Sequence, residues 1–406
     1  MLLSSRVKGI TDSITMKLNE KALGLTDEGK VIYNLSGGQL PIKPLPEFIE
    51  KVLHQLNFLK SYQYSPVAGF PALRKKLTKY IGDSRGLPSD IFEADFDCIV
   101  SNGSKHSIYN ALGALIDPGD EVILLAPYWV SYPEMIKFWG GVPTVVKSNI
   151  FDAFVPAIDD IKKVVSARTK AIIVNSPNNP AGIHYSEAWM KEFASFLLDY
   201  PDLVVLSDEV YSEISYFDPK PTFFYQYDYT LLKRTVIIHA ISKSLAATGL
   251  RLGYAIAPAP LVSAMGKIQG QTTSGPNSLI QRALIDFDLK LIEPFLAPVK
   301  YHVRQNAATL REKFREANLG HCWYQSTSAF YFMLDFSRTP MFARFDSDHE
   351  DHSYAIADEL LQNEGITVVP GSDFGFPNSA RIALVIEEVP FQEALSKIVK
   401  YLNRVS

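Results

Sequence analysis

The pattern that most constrains the fold begins at about residue 97, where short apolar runs alternate with longer stretches of helical periodicity. The apolar runs are continuous rather than alternating, which is typical of strands buried on both faces of a mostly parallel sheet. Helices must then cover both faces, so we predict an α/β protein with three α/β/α layers. The predicted strands are Cys98–Val100, Glu121–Ala126, Ala171–Val174, Leu203–Leu206, Thr235–Ile238 and Tyr254–Ala257.

The pattern changes beyond about residue 300, where amphipathic helices and a few weaker strands surround a polar stretch from Ser337 to Ser353. With 406 residues, the chain also exceeds the size at which a single hydrophobic core usually stops growing. We therefore predict a second, smaller domain in the C-terminal part.

The composition is that of an ordinary globular protein, with 47% hydrophobic and 21% charged residues. The net charge of -4 and the lack of a long Lys/Arg run argue against a nucleic-acid or membrane partner. Neither a secretory signal at the start nor an apolar run of about 18 residues is evident. These features favour a small-molecule partner and a cytoplasmic location.

Metal and disulfide chemistry find little support in the sequence. The two cysteines, Cys98 and Cys322, are far apart and form no CxxC pair. His349 and His352 lie in the polar segment SDHEDH, but a metal site needs further ligands. We predict no metal site and interpret that segment as a solvated loop.

Polar segments follow several of the predicted strands, where ligands of open α/β sheets bind. One of them, HAISKSLAATGLRLGY, contains Lys243 beside few other charges. Desolvation lowers the pKa of an ammonium group, and the neutral amine can condense with an aldehyde to give a Schiff base. Most lysines are solvated surface residues, so Lys243 alone is a weak signal.

Two segments are suited to one phosphate group. Arg251 lies between Gly249 and Gly253, and the planar fork of arginine matches a phosphate. Upstream, Gly103 and Ser104 occupy a strand-to-helix turn whose free N–H groups favour an anion. Either segment alone could equally be a glycine turn that caps a helix.

Asp208 ends another predicted strand in VVLSDEVY, with Tyr211 three residues later. A buried carboxylate requires a cationic partner, and a protonated pyridine nitrogen would serve, although Asp208 could also merely cap a helix. Asn179 precedes a proline and is held extended, and Trp129 offers an aromatic face at the same rim. Taken singly, these two residues are more typical of turn and core positions.

The joint order of these segments resembles that of the fold-type I, class I pyridoxal-phosphate-dependent aminotransferases over nearly the whole chain. The resemblance is closest to the bacterial aspartate aminotransferase branch. It implies a large cofactor-binding domain at 48–298 and a smaller α+β domain formed by 299–406 and part of 1–47, which also holds an N-terminal arm. The matching segments are YSPVAGFPALR, the GSK turn, DPGDEVILLAPYWVSYPEM, NSPNNPAG, SDEVY, SKSLAATGLRLGY, VVPGSDFG and the late Arg381.

The resemblance implies roles around the cofactor ring. Lys243 corresponds to the Schiff-base lysine, which also moves the proton of the substrate α-carbon. Asp208 corresponds to the partner of the pyridine nitrogen, and Trp129 to the aromatic residue that stacks on the ring. Tyr211 and Asn179 correspond to the two residues that hydrogen-bond the phenolic oxygen.

The resemblance also implies a phosphate site and a dimer. Tyr64 corresponds to a tyrosine that reaches the phosphate from the neighbouring subunit, so the active protein would be a homodimer with shared sites. The other implied phosphate ligands are the backbone of Gly103, Ser104 and Lys105 and the side chains of Ser242 and Arg251.

For the substrate, Arg381 corresponds to the arginine that binds the α-carboxylate, and Gly38 to a backbone contact with it. In the bacterial aspartate aminotransferase branch, two hydroxyl residues and a lysine recognise a side-chain carboxylate, and this sequence has Ser13, Thr15 and Lys105 at those positions. An acidic donor such as aspartate, with 2-oxoglutarate as acceptor, is therefore expected. The implied substrate site comprises Arg381, Gly38, Asn179, Ser13, Thr15 and Lys105.

Alternatives remain at this stage. The chain has NNPAG where NNPTG is usual, SGGQLP near its start and the extra polar stretch, so aromatic or aliphatic donors stay open. β-Elimination and decarboxylation use the same electron sink, although Arg381 disfavours decarboxylation because it binds the carboxylate. A non-catalytic regulator is a further alternative, but no basic helix-turn-helix precedes residue 40.

Overall fold

The computed structural model describes residues 4–10, 14–345 and 351–404. The strands are β1 Tyr33–Asn34, β2 Phe96–Ser101, β3 Glu121–Leu125, β4 Val142–Val146, β5 Thr169–Asn175, β6 Val204–Asp208, β7 Thr235–Ala240, β8 Gly253–Pro258, β9 Tyr331–Asp335, β10 Ile366–Thr367, β11 Val369–Pro370 and β12 Ser379–Ala383. The α-helices are α1 Ser5–Lys8, α2 Ile14–Asp27, α3 Pro46–Gln55, α4 Pro71–Arg85, α5 Ser89–Asp95, α6 Ser104–Leu115, α7 Ser131–Phe138, α8 Ile158–Val164, α9 Glu187–Leu198, α10 Ile241–Ser244, α11 Ala259–Thr272, α12 Ser278–Asp286, α13 Ile292–Glu316, α14 Ser353–Glu359 and α15 Glu388–Leu402.

The central sheet contains seven strands in the order β2-β8-β7-β6-β5-β3-β4. Neighbouring strands from β7 to β4 in this order are parallel, whereas β8 is antiparallel to both β2 and β7. Every apolar run predicted as a strand lies largely within one of these strands. The predicted mostly parallel sheet is confirmed.

Both faces of this sheet are buried because successive side chains of a strand point to opposite faces. Val205 and Ile237 pack into one core cluster, while their sequence neighbours Leu206 and Val236 pack into another. Helices α4, α9 and α13 contribute to the first cluster, and helices α6, α7 and α11 contribute to the second. The predicted α/β/α layering is therefore confirmed.

A smaller α+β part joins the two ends of the chain. Strands β11, β12 and β9 form an antiparallel sheet, and β1 pairs in parallel with β10, so that Tyr33 is opposite Ile366. The exact domain limits at residues 47/48 and 298/299 stay predictions. Pro298 lies inside α13, so the second limit would fall within one continuous helix.

Two features of the central sheet were not predicted. Strand β4 lies at the sheet edge, contains Pro143 and has Val146 as its buried position, and edge strands tolerate proline because one side needs no ladder hydrogen bonds. The reversed direction of β8 was also missed, because an apolar run shows burial but carries no information on strand direction.

No helix in the described ranges is long and apolar enough to cross a membrane. Within those same ranges, no group of three His, Cys, Asp or Glu side chains is placed to hold a metal ion. His349 lies outside the described residues. Cys98 and Cys322 are both free and buried.

Candidate active site

A cavity of about 1140 Å³ opens at the carboxyl end of the parallel strands. The ends of β5 and β6 place Asn175 directly opposite Asp208, and Lys243 follows β7 in the short helix α10. Tyr331 and Arg381, from β9 and β12 of the smaller sheet, line the same cavity. Side chains from both sheets therefore enclose one site, at the edge where open α/β sheets bind ligands.

Lys243 projects from α10 toward the aromatic wall of this cavity. Its Nζ lies 5.7 Å from the ring centre of Tyr211 and 5.8 Å from that of Phe330, and it donates a hydrogen bond to the Gly38 carbonyl. Burial and, secondarily, the positive charge of Arg381 lower the pKa of Lys243 to about 8. Part of this amine is consequently neutral near physiological pH.

The Asp208 carboxylate lies on the floor of the cavity and is buried. Its Oδ2 accepts a 2.5 Å hydrogen bond from the hydroxyl of Tyr132. Burial raises the pKa of Asp208 to about 6, and the hydrogen bond from Tyr132 opposes that rise. A cation placed beside this carboxylate would be strongly favoured, because a buried anion gains most from a partner.

Tyr211 and Tyr331 form a phenol pair that lines the cavity, with their hydroxyl oxygens 3.1 Å apart. Both side chains are buried, and burial raises the pKa of each above its usual range. The two hydroxyl groups therefore stay protonated near neutral pH. One of them donates to the other, so the second keeps its proton for an oxygen in the cavity.

The turn between β2 and α6 is shaped to hold an anion. Gly103 has a φ of 84° and is the N-cap residue of α6, and a Cβ at this position would approach the guanidinium of Arg251 to 2.6 Å. A Cβ at Gly253 would lie 2.2 Å from the backbone nitrogen of Ser104. Glycine at both positions permits this close packing, so the guanidinium of Arg251 lies next to the N-terminus of α6. Ser104 at that N-terminus lines the cavity, whereas Gly103 and Arg251 lie behind its lining.

Arg381 reaches the cavity from β12 and is 6% exposed. Its Nη1 donates to Oδ1 of Asn179 over 3.0 Å, and its Nη2 donates to the Ser36 carbonyl over 2.8 Å. Its Nε has no hydrogen-bond partner among the described residues. An arginine has five N–H donors, so this one keeps free donors for a ligand in addition to those that fix its orientation.

Lys105 and Trp129 lie together on the cavity wall, with the Lys105 Nζ 4.9 Å from the ring centre of Trp129. Burial and the charge of Arg251 lower the pKa of Lys105. No ion pair between Lys105 and a carboxylate is seen in the described part of the chain. The ammonium group can therefore accept an anionic partner.

The remaining predicted site residues differ in their position. Ser242 is buried beside Lys243 in α10, whereas Tyr64 is 92% exposed and does not line the cavity of its own chain. Ser13 lies outside the described residues, and so does the side chain of Thr15, although its backbone is part of α2. The predicted roles of Ser13 and Thr15 stay predictions.

Sequence reasoning missed several residues that line the cavity or contact its lining from behind. Tyr132 follows Trp129 by three residues, a spacing that places both on one side of a helical turn and could have indicated it. Tyr331 belongs to no segment with a recognisable chemical pattern, and Ser36 lies in SGGQLP, from which only Gly38 was predicted. Asp373 also lines the cavity, and burial raises its pKa to about 6.

Comparison with known proteins identifies the family. The model of the aminotransferases of class I and II matches residues 30–398. The chain belongs to the class I and II aminotransferase family. The aminotransferase class predicted from the sequence is therefore confirmed, and the α/β fold agrees with it.

Similar proteins share the full length of this aminotransferase. A probable aspartate/prephenate aminotransferase of Thermus aquaticus is 32% identical over 408 residues, covering 99% of each chain. An aspartate aminotransferase of Geobacillus stearothermophilus is 30% identical over 403 residues, again with 99% of each chain covered. A structure of the Thermus thermophilus aspartate aminotransferase with maleate has a TM-score of 0.87 and 29% identity, covering 99% of this chain and 100% of that one.

Proposed function

We propose that this aminotransferase binds pyridoxal phosphate in the cavity and transfers the amino group of an acidic L-amino acid, such as aspartate, to a 2-oxo acid such as 2-oxoglutarate. The observation that carries the proposal is the convergence on one cavity of Lys243 with its lowered pKa, the buried carboxylate of Asp208 and the free donors of Arg381. They provide an amine for the aldehyde of the cofactor, an anion for its ring nitrogen and a binding group for the carboxylate of the substrate.

The residues fit the cofactor at each of its polar ends. Asp208 is a buried carboxylate without a cationic hydrogen-bond partner among the described side chains, which suits a positively charged ring nitrogen. The turn at Gly103 brings the N-terminus of α6 next to the guanidinium of Arg251, and both groups favour a phosphate. The phenol of Tyr211 can donate to the phenolic oxygen of the cofactor, and Trp129 offers a flat face for its ring.

The chain itself orients the substrate and moves its proton. When bound, pyridoxal phosphate supplies an aldehyde that binds amines covalently and a ring that withdraws electrons from the substrate α-carbon. Lys243 would hold the cofactor through Nζ, and once the amine of the substrate has displaced it, the same Nζ would be a free base able to accept the α-proton of the substrate. Arg381 fixes the α-carboxylate, so the α-proton faces Lys243.

The preference for an acidic donor depends on Lys105. Its ammonium group lies beside Trp129 on the cavity wall, where Lys137 is already paired with Glu134, so Lys105 is available for a second carboxylate. Relatives are named for aspartate, and one similar structure contains maleate, which is a dicarboxylate. Both facts support a substrate that carries a carboxylate at each end.

We also propose that the active form is a homodimer. Tyr64 is 92% exposed, and so much exposed phenol is expected where a partner subunit covers it. Other large apolar side chains in the same part of the chain are exposed as well: Leu53, Leu56, Phe58, Leu59 and Tyr62. Analytical ultracentrifugation should give about twice the chain mass of 45.4 kDa, and a monomer with full activity would contradict shared sites.

A donor screen tests the proposed function. Purified enzyme with pyridoxal phosphate would be assayed with aspartate, phenylalanine, leucine and alanine against 2-oxoglutarate, and with glutamate against oxaloacetate. The expected result is the highest kcat/KM for aspartate or glutamate. Inert acidic donors together with active aromatic or aliphatic donors would overturn the acidic preference but not the cofactor assignment.

Replacing Lys105 with alanine should reduce kcat/KM selectively. For aspartate we expect a loss of about tenfold to a hundredfold, the usual value of one charge-assisted hydrogen bond, whereas alanine as donor should change by less than about threefold. Lys137→Ala is the matched control, because Lys137 is already paired with Glu134 over 2.9 Å. Equal losses for aspartate and alanine in Lys105→Ala would remove the proposed role of its side chain.

A further inference from the structure

Asp208 can hold a cationic ring nitrogen only while it is ionised. Burial opposes ionisation and raises the pKa of this carboxyl group to about 6 in the protein alone. A small further rise would leave Asp208 partly protonated at neutral pH. The hydrogen bonds that the Asp208 carboxylate accepts therefore help to keep it charged before the cofactor binds.

Tyr132 is placed to do this. It is 1% exposed, and its hydroxyl donates to Oδ2 of Asp208 over 2.5 Å. Burial and the negative charge of Asp208 raise the pKa of Tyr132 well above its usual value, so it remains a donor throughout the working pH range. A hydrogen bond from a neutral donor to a carboxylate stabilises the charged form selectively.

Other groups around Asp208 act more weakly. Its Oδ1 accepts from the backbone N–H of Val210 over 3.4 Å, a longer hydrogen bond. His239 on β7 favours the charged form of Asp208 by its electrostatic interaction, whereas the neighbouring Glu209 disfavours it. Lys243 also attracts Asp208 across the cavity. The short hydrogen bond from Tyr132 is thus the specific contact that acts on the carboxylate itself.

The position of Tyr132 is fixed by the segment that carries Trp129. The backbone N–H of Tyr132 donates to the Trp129 carbonyl over 3.0 Å at the start of α7. The two rings meet edge to face, with their centres 5.4 Å apart. The face of Trp129 and the hydroxyl of Tyr132 are therefore oriented by one turn of the backbone.

We propose that Tyr132 is a positioning residue for the cofactor: its hydroxyl keeps Asp208 ionised and directs the carboxylate toward the ring nitrogen. This inference rests on the proposed function, because it takes Asp208 as the partner of that nitrogen. It adds a residue that touches neither substrate nor cofactor and acts through the carboxylate.

The test compares two ligands on the protein without cofactor. Tyr132→Phe and the unmodified protein would be titrated with pyridoxal phosphate and with the deaza analogue, in which C–H replaces the ring nitrogen. At about pH 5, below the pKa of Asp208, we expect Tyr132→Phe to bind pyridoxal phosphate about tenfold more weakly, since one pKa unit there corresponds to a factor of ten in the ionised fraction, whereas at pH 7 the loss should be only about twofold. Its affinity for the deaza analogue should stay within about twofold, because that ligand makes no charged contact with Asp208.

Affinity for pyridoxal phosphate should also depend on pH in a defined direction. Removing a donor from the anion raises the pKa of Asp208, so the affinity of Tyr132→Phe should begin to fall at a pH about one unit higher than in the unmodified protein as the solution is acidified. If Tyr132 served packing alone, its loss would lower the affinity at all pH values and would not change the pH at which the affinity begins to fall.

Tyr185→Phe is the matched control. Tyr185 is 2% exposed and near enough to interact electrostatically with Tyr132, but burial alone raises its pKa. This variant should keep the affinity of the unmodified protein for pyridoxal phosphate and the same dependence of that affinity on pH. Equal losses for both ligands in Tyr132→Phe, or no loss for either, would overturn the inference. If the unmodified protein itself binds both ligands with the same affinity, the proposed contact between Asp208 and the ring nitrogen is contradicted, and with it this part of the proposed function.

Discussion

Replacing Lys243 with alanine is expected to lower kcat/KM for the best donor by about 10⁴-fold or more. The variant loses both the amine that holds the cofactor and the base that moves the α-proton, and no second lysine borders the rings of Tyr211 and Phe330 in the described part of the chain. The visible absorbance of the lysine-bound cofactor should also disappear. Steady-state kinetics and an absorbance spectrum of the purified variant measure both effects.

Lys76→Ala is a suitable control for this experiment. The Lys76 amine is also partly desolvated, which lowers its pKa, but it donates to the carbonyls of Leu284, Ile285 and Phe287 at the end of α12. Its loss should lower Tm without changing the cofactor absorbance. If Lys243→Ala retained turnover within about tenfold of the unmodified enzyme, its roles as cofactor anchor and base would be contradicted.

Replacing Arg381 with leucine is expected to lower kcat/KM by about 10³-fold, because two charge-assisted hydrogen bonds to the α-carboxylate are lost. The affinity for the cofactor should change less than kcat/KM, since Arg381 is assigned to the substrate and its two hydrogen bonds go to Asn179 and Ser36. Measuring kcat/KM and the dissociation constant of the cofactor on the same preparation separates the two effects.

Arg381→Lys is the matched variant, because it keeps the positive charge but lacks the planar guanidinium group. It should recover only part of the lost kcat/KM, because a lysine cannot bind a carboxylate through two parallel hydrogen bonds. Thermal unfolding of both variants shows whether the buried site stays folded. A parallel loss of cofactor affinity and kcat/KM in both variants would argue that Arg381 supports the cavity rather than the substrate.

Much of the fold could be predicted because buried parallel strands leave a continuous apolar signal. All six predicted strands are present, and several polar segments that follow them reach the same cavity. Lys243 and Asp208 were suggested by their position after such strands, since chemistry in open α/β sheets gathers at that edge. Their roles in catalysis remain to be tested by the variants described above.

The contacts that complete the site could not be predicted from local sequence. Arg381 donates to Ser36, which is separated from it by most of the chain, and no short-range pattern reports such a contact. The pairing of Tyr211 with Tyr331 likewise depends on how the smaller sheet packs. Tyrosine is also common in cores, so a hydroxyl with a functional partner is indistinguishable in sequence from one that merely fills space.

The reversed direction of β8 has a consequence for how the two anchors of the cofactor would be spaced. Lys243 follows the end of β7, and Arg251 precedes the start of β8, so residues 241–252 make a short return at a single edge of the sheet. A parallel β8 would begin at the far edge and need a crossover of roughly a dozen residues or more, usually helical, before it. Insertions in this return would move the Arg251 guanidinium away from the Lys243 amine. One cofactor molecule could then no longer be bonded covalently to Lys243 and bound through its phosphate by Arg251 at the same time.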